Sequence, residues 1–297
     1  MTRIRASARL LHVILLLAGG VLGLVLVQCW PQRVVRRRWT AYGTRTLARA
    51  MLSALHVEPL VVGPRPSTAA LYVANHLSWI EVLALLTILP DTRLVSKRDL
   101  ESWPLLGPLA RASGVVFIDR TRRTDVRRVI SAMTEALRDG HSVLVFPEGT
   151  TSDGETVLPF HSALFETAIR VGAPVVPIGV RLCVVGATRA TARTLCWTGD
   201  TTLLSHVPAV ARVRRSSCVL RLDEALRPIP VDVHCRRARS RARKAIARAA
   251  RARIERNTQR TEPTDVSRVP IAAWPATTTR ATAEAIARVA SVRLLRL

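Results

Sequence analysis

From Leu71 to Arg181 short apolar runs alternate with stretches of helical period, and this alternation restricts the fold more than any other feature of the chain. Strands are expected at 71–74, 92–96, 114–118, 142–146 and 175–181, and helices at 79–89, 124–138 and 162–171, with a short helix broken by proline between 100 and 111. Strands separated by helices build a largely parallel sheet with helices on both faces, the α/β class. In such sheets ligands bind beyond the carboxyl ends of the strands. His76, Arg120 and Glu148 each follow an expected strand directly.

The most informative stretch is Leu71–Glu81, LYVANHLSWIE. Leu71, Tyr72 and Val73 read as a buried strand end. Ser78 and Glu81 have the spacing of a capping box ahead of an apolar helix that Pro90 ends. A histidine leaving a strand, five residues before a carboxylate in the next helical turn, has the makings of a general base. In a plainer reading, Glu81 only completes the cap and His76 only occupies a turn. A second polar turn, Phe146–Ser152 (FPEGTTS), also follows a strand. Its small residues suit close approach of backbone to a charged ligand.

Four ordered stretches, NHLSWIE, GVVFIDR (Gly114–Arg120), FPEGTTS and VVPIGV (Val175–Val180), resemble the four motif blocks of the glycerolipid acyltransferase family. The likeness covers about residues 70–182 and implies an acyltransferase fold preceded by N-terminal membrane helices. Two departures stand out. Glu81 occupies the place of the family's aspartate, and Thr151 that of a frequent arginine. The resemblance implies His76 and Glu81 as the catalytic pair, and Arg120 as the phosphate ligand of the acceptor. It implies Glu148 with the Gly149–Thr150–Thr151 turn as further acceptor contacts, and Pro177 as lining of the acyl site. On the residues alone, Pro177 is expected to break its strand, or to be an edge proline in a plain core strand. If His76 and Glu81 form a dyad, an aspartate at position 81 is expected to leave activity intact or raise it, whereas strong loss would point to a site retuned for glutamate. Ser152-Asp153-Gly154, followed by Leu158-Pro159-Phe160, resembles the variant found in lyso-ornithine lipid acyltransferases.

The resemblance therefore implies a lysophospholipid acyltransferase, first of all one forming phosphatidic acid from 1-acyl-sn-glycerol 3-phosphate. Lyso-ornithine lipid is the alternative acceptor, and a catalytically inactive membrane scaffold the non-enzymatic alternative. The co-substrate would be acyl-coenzyme A or acyl carrier protein, with no cofactor. No Cys-x-x-Cys and no histidine spacing suggests a metal site among the five cysteines and seven histidines.

Charge divides the chain unevenly. The net charge is +24; residues 1–60 carry 9 basic and 1 acidic side chains, 61–230 carry 20 and 15, and 231–297 carry 16 and 5. Basic ends around a nearly balanced middle point to an anionic membrane surface, and no recognition motif points to nucleic acid. These boundaries give the expected division: a membrane anchor with an amphipathic helix in 1–60, an acyltransferase domain in 61–230 and a basic extension in 231–297. Leu10–Trp30 is apolar over nearly the length needed to cross a bilayer and reads as an uncleaved anchor. Arginines on both flanks only slightly favour a cytoplasmic carboxyl side, so the enzyme is expected on a bacterial inner membrane facing the cytoplasm. Thr40–His56 reads as an amphipathic helix, at the interface or in the core, and Val61–Ser67 as a turn. Ser217–Leu222 is a further strand candidate. Val233–Arg256 is expected as an Arg/Ala helix without a good apolar face, Asn257–Thr279 as a linker, and Ala281–Leu297 as a terminal helix.

Overall fold

The computed structural model describes residues 2–64, 68–89, 92–119, 122–186, 189–199, 201–232 and 235–260. The expected helix at 281–297 and most of the expected linker lie outside these residues. The described chain runs α1 (Thr2–Gln28), α2 (Arg33–Ala54), β1 (Val57–Val62), β2 (Leu71–Ala74), α3 (Ile80–Ile88), β3 (Thr92–Lys97), α4 (Leu106–Ala112) and β4 (Val116–Ile118). It continues with α5 (Arg123–Arg138), β5 (Ser142–Val145), α6 (Glu166–Val171), β6 (Val175–Val184), α7 (Arg189–Ala192), α8 (Leu203–Arg212), β7 (Ser216–Leu222) and α9 (Arg236–Gln259).

Among the described residues the strands form one seven-stranded sheet in the order β1-β7-β6-β2-β5-β3-β4. Every neighbouring pair is parallel except β6 with β7. The expected mostly parallel α/β sheet is therefore the one observed. Side chains alternate between its two faces because successive strand residues point in opposite directions. Tyr72 and Ala74 of β2 join Leu144, Val176, Ile178 and Val180 on one face, where Ile80, Leu85 and Ile88 of α3 and Met51, Leu52 and Leu55 cover them. Leu71 and Val73 join Val143, Val145 and Val175 on the other face, under Val129 and Met133 of α5 and Ala168 of α6.

Three local expectations are corrected. Pro177 does not break its strand: β6 runs through it, and its carbonyl accepts the Asp223 N–H at 2.9 Å. Nor is it at an edge, since β6 lies between β2 and β7. The segment ahead of β2, expected as a turn from Val61, begins as strand β1, in which Val57–Val62 pairs with Ser216–Arg221 of β7.

The third correction concerns α9, which does have an apolar face. Ile246, Ala247, Ala250 and Ile254 are buried against the sheet and α6, and the helix continues to Gln259, into the segment expected as linker. Contact with β6 is close at Gly179, where a Cβ would come within 2.6 Å of Asn257 Cβ. Burial of each isoleucine contributes about 1.5–3 kcal/mol. The helix's arginines find partners far away in sequence. Arg243 meets Glu166 at 3.0 Å, Arg253 meets Asp223 at 3.0 Å, and Arg251 donates to the Val157 carbonyl at 3.2 and 2.7 Å.

At the other end of the chain α1 carries a 25-residue stretch, Ile4–Gln28, long and apolar enough to cross a membrane. It packs against α2, α4 and α8. Arg9 donates to the carbonyls of Ala211 (2.9 Å), Val213 (2.6 Å) and Arg214 (3.3 Å), which caps the carboxyl end of α8. Leu11, Ile14, Leu15, Leu22, Val25 and Leu26 stay exposed on α1.

Candidate active site

Two neighbouring parallel strands, β2 and β5, end side by side, and each delivers one motif loop. The chain leaves β2 through Asn75. Its amide accepts the Val180 N–H (2.7 Å) and donates to the Val180 carbonyl (3.1 Å), so the exit from the strand is fastened to β6 on both sides. His76 follows. Its ring stacks on Phe146 at a centroid separation of 4.2 Å and an interplanar angle of 20°.

Glu81 lies in the first turn of α3 with 0% exposure. Its Oε1 accepts from the Leu77 N–H (2.8 Å) and the Ser78 N–H (2.8 Å) and sits 2.6 Å from His76 Nδ1. An oxygen already accepting two backbone donors acts as acceptor toward the imidazole as well, so Nδ1 carries the proton. Nε2 is then the basic nitrogen, on a side chain that is 19% exposed. The two readings of Glu81 are therefore one: the same oxygen closes the helix start and orients the histidine. Ser78, by contrast, is not the cap. The helix begins one residue later with Trp79 at its N-cap position, and Ser78 Oγ is buried with no hydrogen-bond partner among the described residues.

The FPEGTTS loop folds onto this pair. Gly149 takes a positive φ of 74°, a conformation that glycine adopts without strain. Its N–H donates to the Phe146 carbonyl at 3.1 Å. Ser152 N–H then donates to the His76 carbonyl at 2.8 Å, tying the two motif loops together. Glu148 is buried between them, and neither of its oxygens has a hydrogen-bond partner among the described residues. Burial pushes its carboxyl up to about 8, and the Glu81 charge adds to the rise. The backbone N–H groups of His76 and Leu158 and the Arg251 charge oppose that rise without completing a hydrogen bond to either oxygen. Thr150 is exposed at the tip of the loop.

Thr151 does something an arginine there would not. Its Oγ1 donates to the Trp197 carbonyl, and the Trp197 N–H donates to the Leu77 carbonyl at 2.7 Å. The Cys196–Trp197 segment is thereby stitched across both motif loops. Trp197 also stacks on His206 (6.3 Å, 18°), whose Nδ1 accepts from Trp79 Nε1 at 2.9 Å. Sequence reasoning missed Asn75, Phe146, Trp197 and His206. The first two stood inside quoted motifs. The other two carried no signal, because the residues of the first motif that they bond, Leu77 for Trp197 and Trp79 for His206, lie more than 100 residues earlier in the chain.

The structure thus brings His76, Glu81, Glu148, Gly149 and Thr151 into one constellation. Arg120 lies outside the described residues. The loop leading to it is anchored: Asp125 accepts the Asp119 N–H (2.5 Å), and Arg128 bridges Asp125 (2.6 Å) and the Phe117 carbonyl (2.5 Å). The Arg128 bond, the Asp119 N–H and then the Arg128 and Arg98 charges hold the Asp125 carboxyl at about 2, against the cost of its burial. Pro177 is buried in mid-strand beside Val73. Cys196, near Glu81 and Asp153, is no ready nucleophile, since burial and those two charges push its thiol up to about 12.

A buried carboxylate orienting a partly exposed histidine at the carboxyl ends of parallel strands is an arrangement suited to general-base chemistry in an α/β fold. A family model described as Acyltransferase matches residues 56–181. The chain is 38% identical over 137 residues to the 1-acyl-sn-glycerol-3-phosphate acyltransferase of Neisseria meningitidis, covering 46% of this chain and 53% of that one. It is 37% identical over 227 residues to the lyso-ornithine lipid O-acyltransferase of Pseudomonas aeruginosa, covering 75% of this chain and 83% of that one. The chain therefore spans about half the length of the first relative and most of the second. The crystal structure of the 1-acyl-sn-glycerophosphate acyltransferase of Thermotoga maritima shares the fold, with a TM-score of 0.63 at 19% identity over 88% of this chain and 99% of that one. The chain belongs to the glycerolipid acyltransferase family.

Proposed function

We propose that the protein is a membrane-bound lysophospholipid acyltransferase, and that 1-acyl-sn-glycerol 3-phosphate is its acceptor. The observation that carries the reading is the His76–Glu81 pair tied to the Glu148 loop, in a chain similar to enzymes named for that reaction. Nε2 of His76 takes the proton of the acceptor hydroxyl as its oxygen attacks the carbonyl carbon of an acyl thioester of coenzyme A or acyl carrier protein. The carbon–sulfur bond breaks, and the departing thiolate takes the proton back from the imidazolium. Glu81 keeps the ring oriented and stabilises its charged form, a contribution of the general-base kind worth about 10²–10⁴-fold. Glu148, protonated at neutral pH, donates a hydrogen bond to the acceptor. The Gly149–Thr151 turn shapes the headgroup site, Arg120 binds the phosphate, and Pro177 backs the acyl chain.

A second acceptor has specific support. The lyso-ornithine lipid relative matches 75% of this chain, against 46% for the phosphatidate-forming one. Thr151 also uses its hydroxyl on Trp197 and offers no charge to a phosphate. Purified membranes supplied with labelled acyl donor and either lysophosphatidic acid or lyso-ornithine lipid decide between them. Phosphatidic acid is the expected product. Product from lyso-ornithine lipid alone would transfer the assignment to that acceptor.

The inner membrane is the proposed location, with the catalytic domain on the cytoplasmic side where acyl thioesters occur. The Arg9 bonds support an α1 that lies in or re-enters one leaflet. Arg9 is fixed to the domain near the start of α1, and Met51, Leu52 and Leu55 join the domain core at the end of α2, so the helical pair leaves and returns on one side.

A further inference from the structure

Arg38, Tyr42, Arg45 and Arg49 stand at i, i+4, i+7 and i+11 on α2 and so share one face. Tyr42 and its neighbour Trp39 are exposed and meet edge to face at 6.0 Å. Exposed Trp and Tyr beside arginine mark the level of lipid headgroups.

Arg45 and Arg49 differ from the other basic residues of this region. Both are half-buried, and the Nε of each is shielded from solvent without a hydrogen-bond partner among the described residues. Carboxylates are scarce here. Glu58 is the only acidic residue in the first 60, and it is paired with Arg215 at 2.9 Å. Two guanidinium groups one turn apart, partly desolvated and without an acid, repel each other. Burial and the Arg49 charge accordingly draw the Arg45 pKa down. A buried donor left unmade is costly, and a charged one more so. An anion beside the two guanidinium groups offsets their repulsion, and phosphate oxygens match guanidinium geometry.

We propose that Arg45 and Arg49 form a binding site for the phosphate of an anionic glycerophospholipid headgroup, with Trp39 and Tyr42 embedded at the same level of the bilayer. The site is separate from the His76 constellation. It rests on the proposed residence of the α1–α2 pair at a membrane but not on acyl transfer, so binding and activity fail independently.

The test is thermal unfolding of the full chain in an uncharged detergent, titrated with phosphatidylglycerol, phosphatidylcholine or inorganic phosphate. Phosphatidylglycerol is expected to raise Tm saturably, and the other two much less. Arg45→Gln with Arg49→Gln should weaken the apparent phosphatidylglycerol affinity roughly 10- to 30-fold. An equal charge loss on the exposed face of α9, Arg241→Gln with Arg248→Gln, should change it by less than about twofold. Arg49→Gln alone, a milder change if the double variant unfolds, should weaken it about fivefold. The proposal is overturned if the α9 pair loses as much as the α2 pair, if neither α2 variant loses affinity, or if inorganic phosphate protects as well as the lipid.

Discussion

Replacing Glu81 with alanine should lower kcat by about 10³-fold and destabilise the protein at the same time. One oxygen of this carboxylate holds three donors, namely His76 Nδ1, Leu77 N–H and Ser78 N–H. The variant loses the orientation of the base and leaves two backbone N–H groups without their acceptor, at about 1–3 kcal/mol each. Steady-state kinetics and urea unfolding measure the two losses separately. Glu81→Asp is the sharper variant. From the sequence, a dyad is expected to tolerate aspartate here unless the site is retuned for glutamate, and the geometry points to the retuned site. A side chain one methylene shorter cannot keep its oxygen on all three donors, and a displacement of that size costs about 10²-fold. Wild-type activity in Glu81→Asp would contradict this account of the pair.

Glu148 should make the protein less stable as pH rises. Its carboxyl titrates at about 8 in the folded protein, against an ordinary 4.5. Between those values the folded chain holds a proton that the unfolded chain has released. Stability is therefore greatest below about pH 4.5 with respect to this group, falls as pH rises, and stops falling above about 8. The full change is of the order of 5 kcal/mol. Glu148→Gln keeps the shape without the charge. The urea midpoint of the wild type should drop from pH 5 to pH 9, while that of the variant should drop much less. Parallel profiles for the two proteins would show that Glu148 is ionised and paired at neutral pH.

Much of the fold was legible because its signals are local. Strands β2, β3, β5, β6 and β7 are short apolar runs with polar punctuation, α5 has a clear helical period, and α3 is an apolar run closed by Pro90. Strand β1 was hidden by Glu58 and Pro59, which suit an edge strand and look like a turn. In α9, two isoleucines and small alanines among arginines give a weak periodic signal, and Glu166 and Asp223, which neutralise the inner arginines, come from distant segments. The pairing of His76 with Glu81 was visible in their spacing. Its consequence for the capping box was not: the helix starts at Ile80, so Ser78 contributes its backbone N–H and not its hydroxyl. The Trp197 bridge over Thr151 was illegible for a different reason. It joins Thr151 to a segment 46 residues on through a backbone carbonyl, which no residue pattern encodes.

The central claim is that His76 is the base of an acyl transfer. The most direct measurement compares wild type and His76→Ala in labelled acyl transfer to lysophosphatidic acid, using detergent-solubilised protein with matched thermal stability. Product from the wild type, and a rate lower by about 10³-fold or more in the variant, is the predicted result. A variant that transfers acyl groups at the wild-type rate would contradict the account.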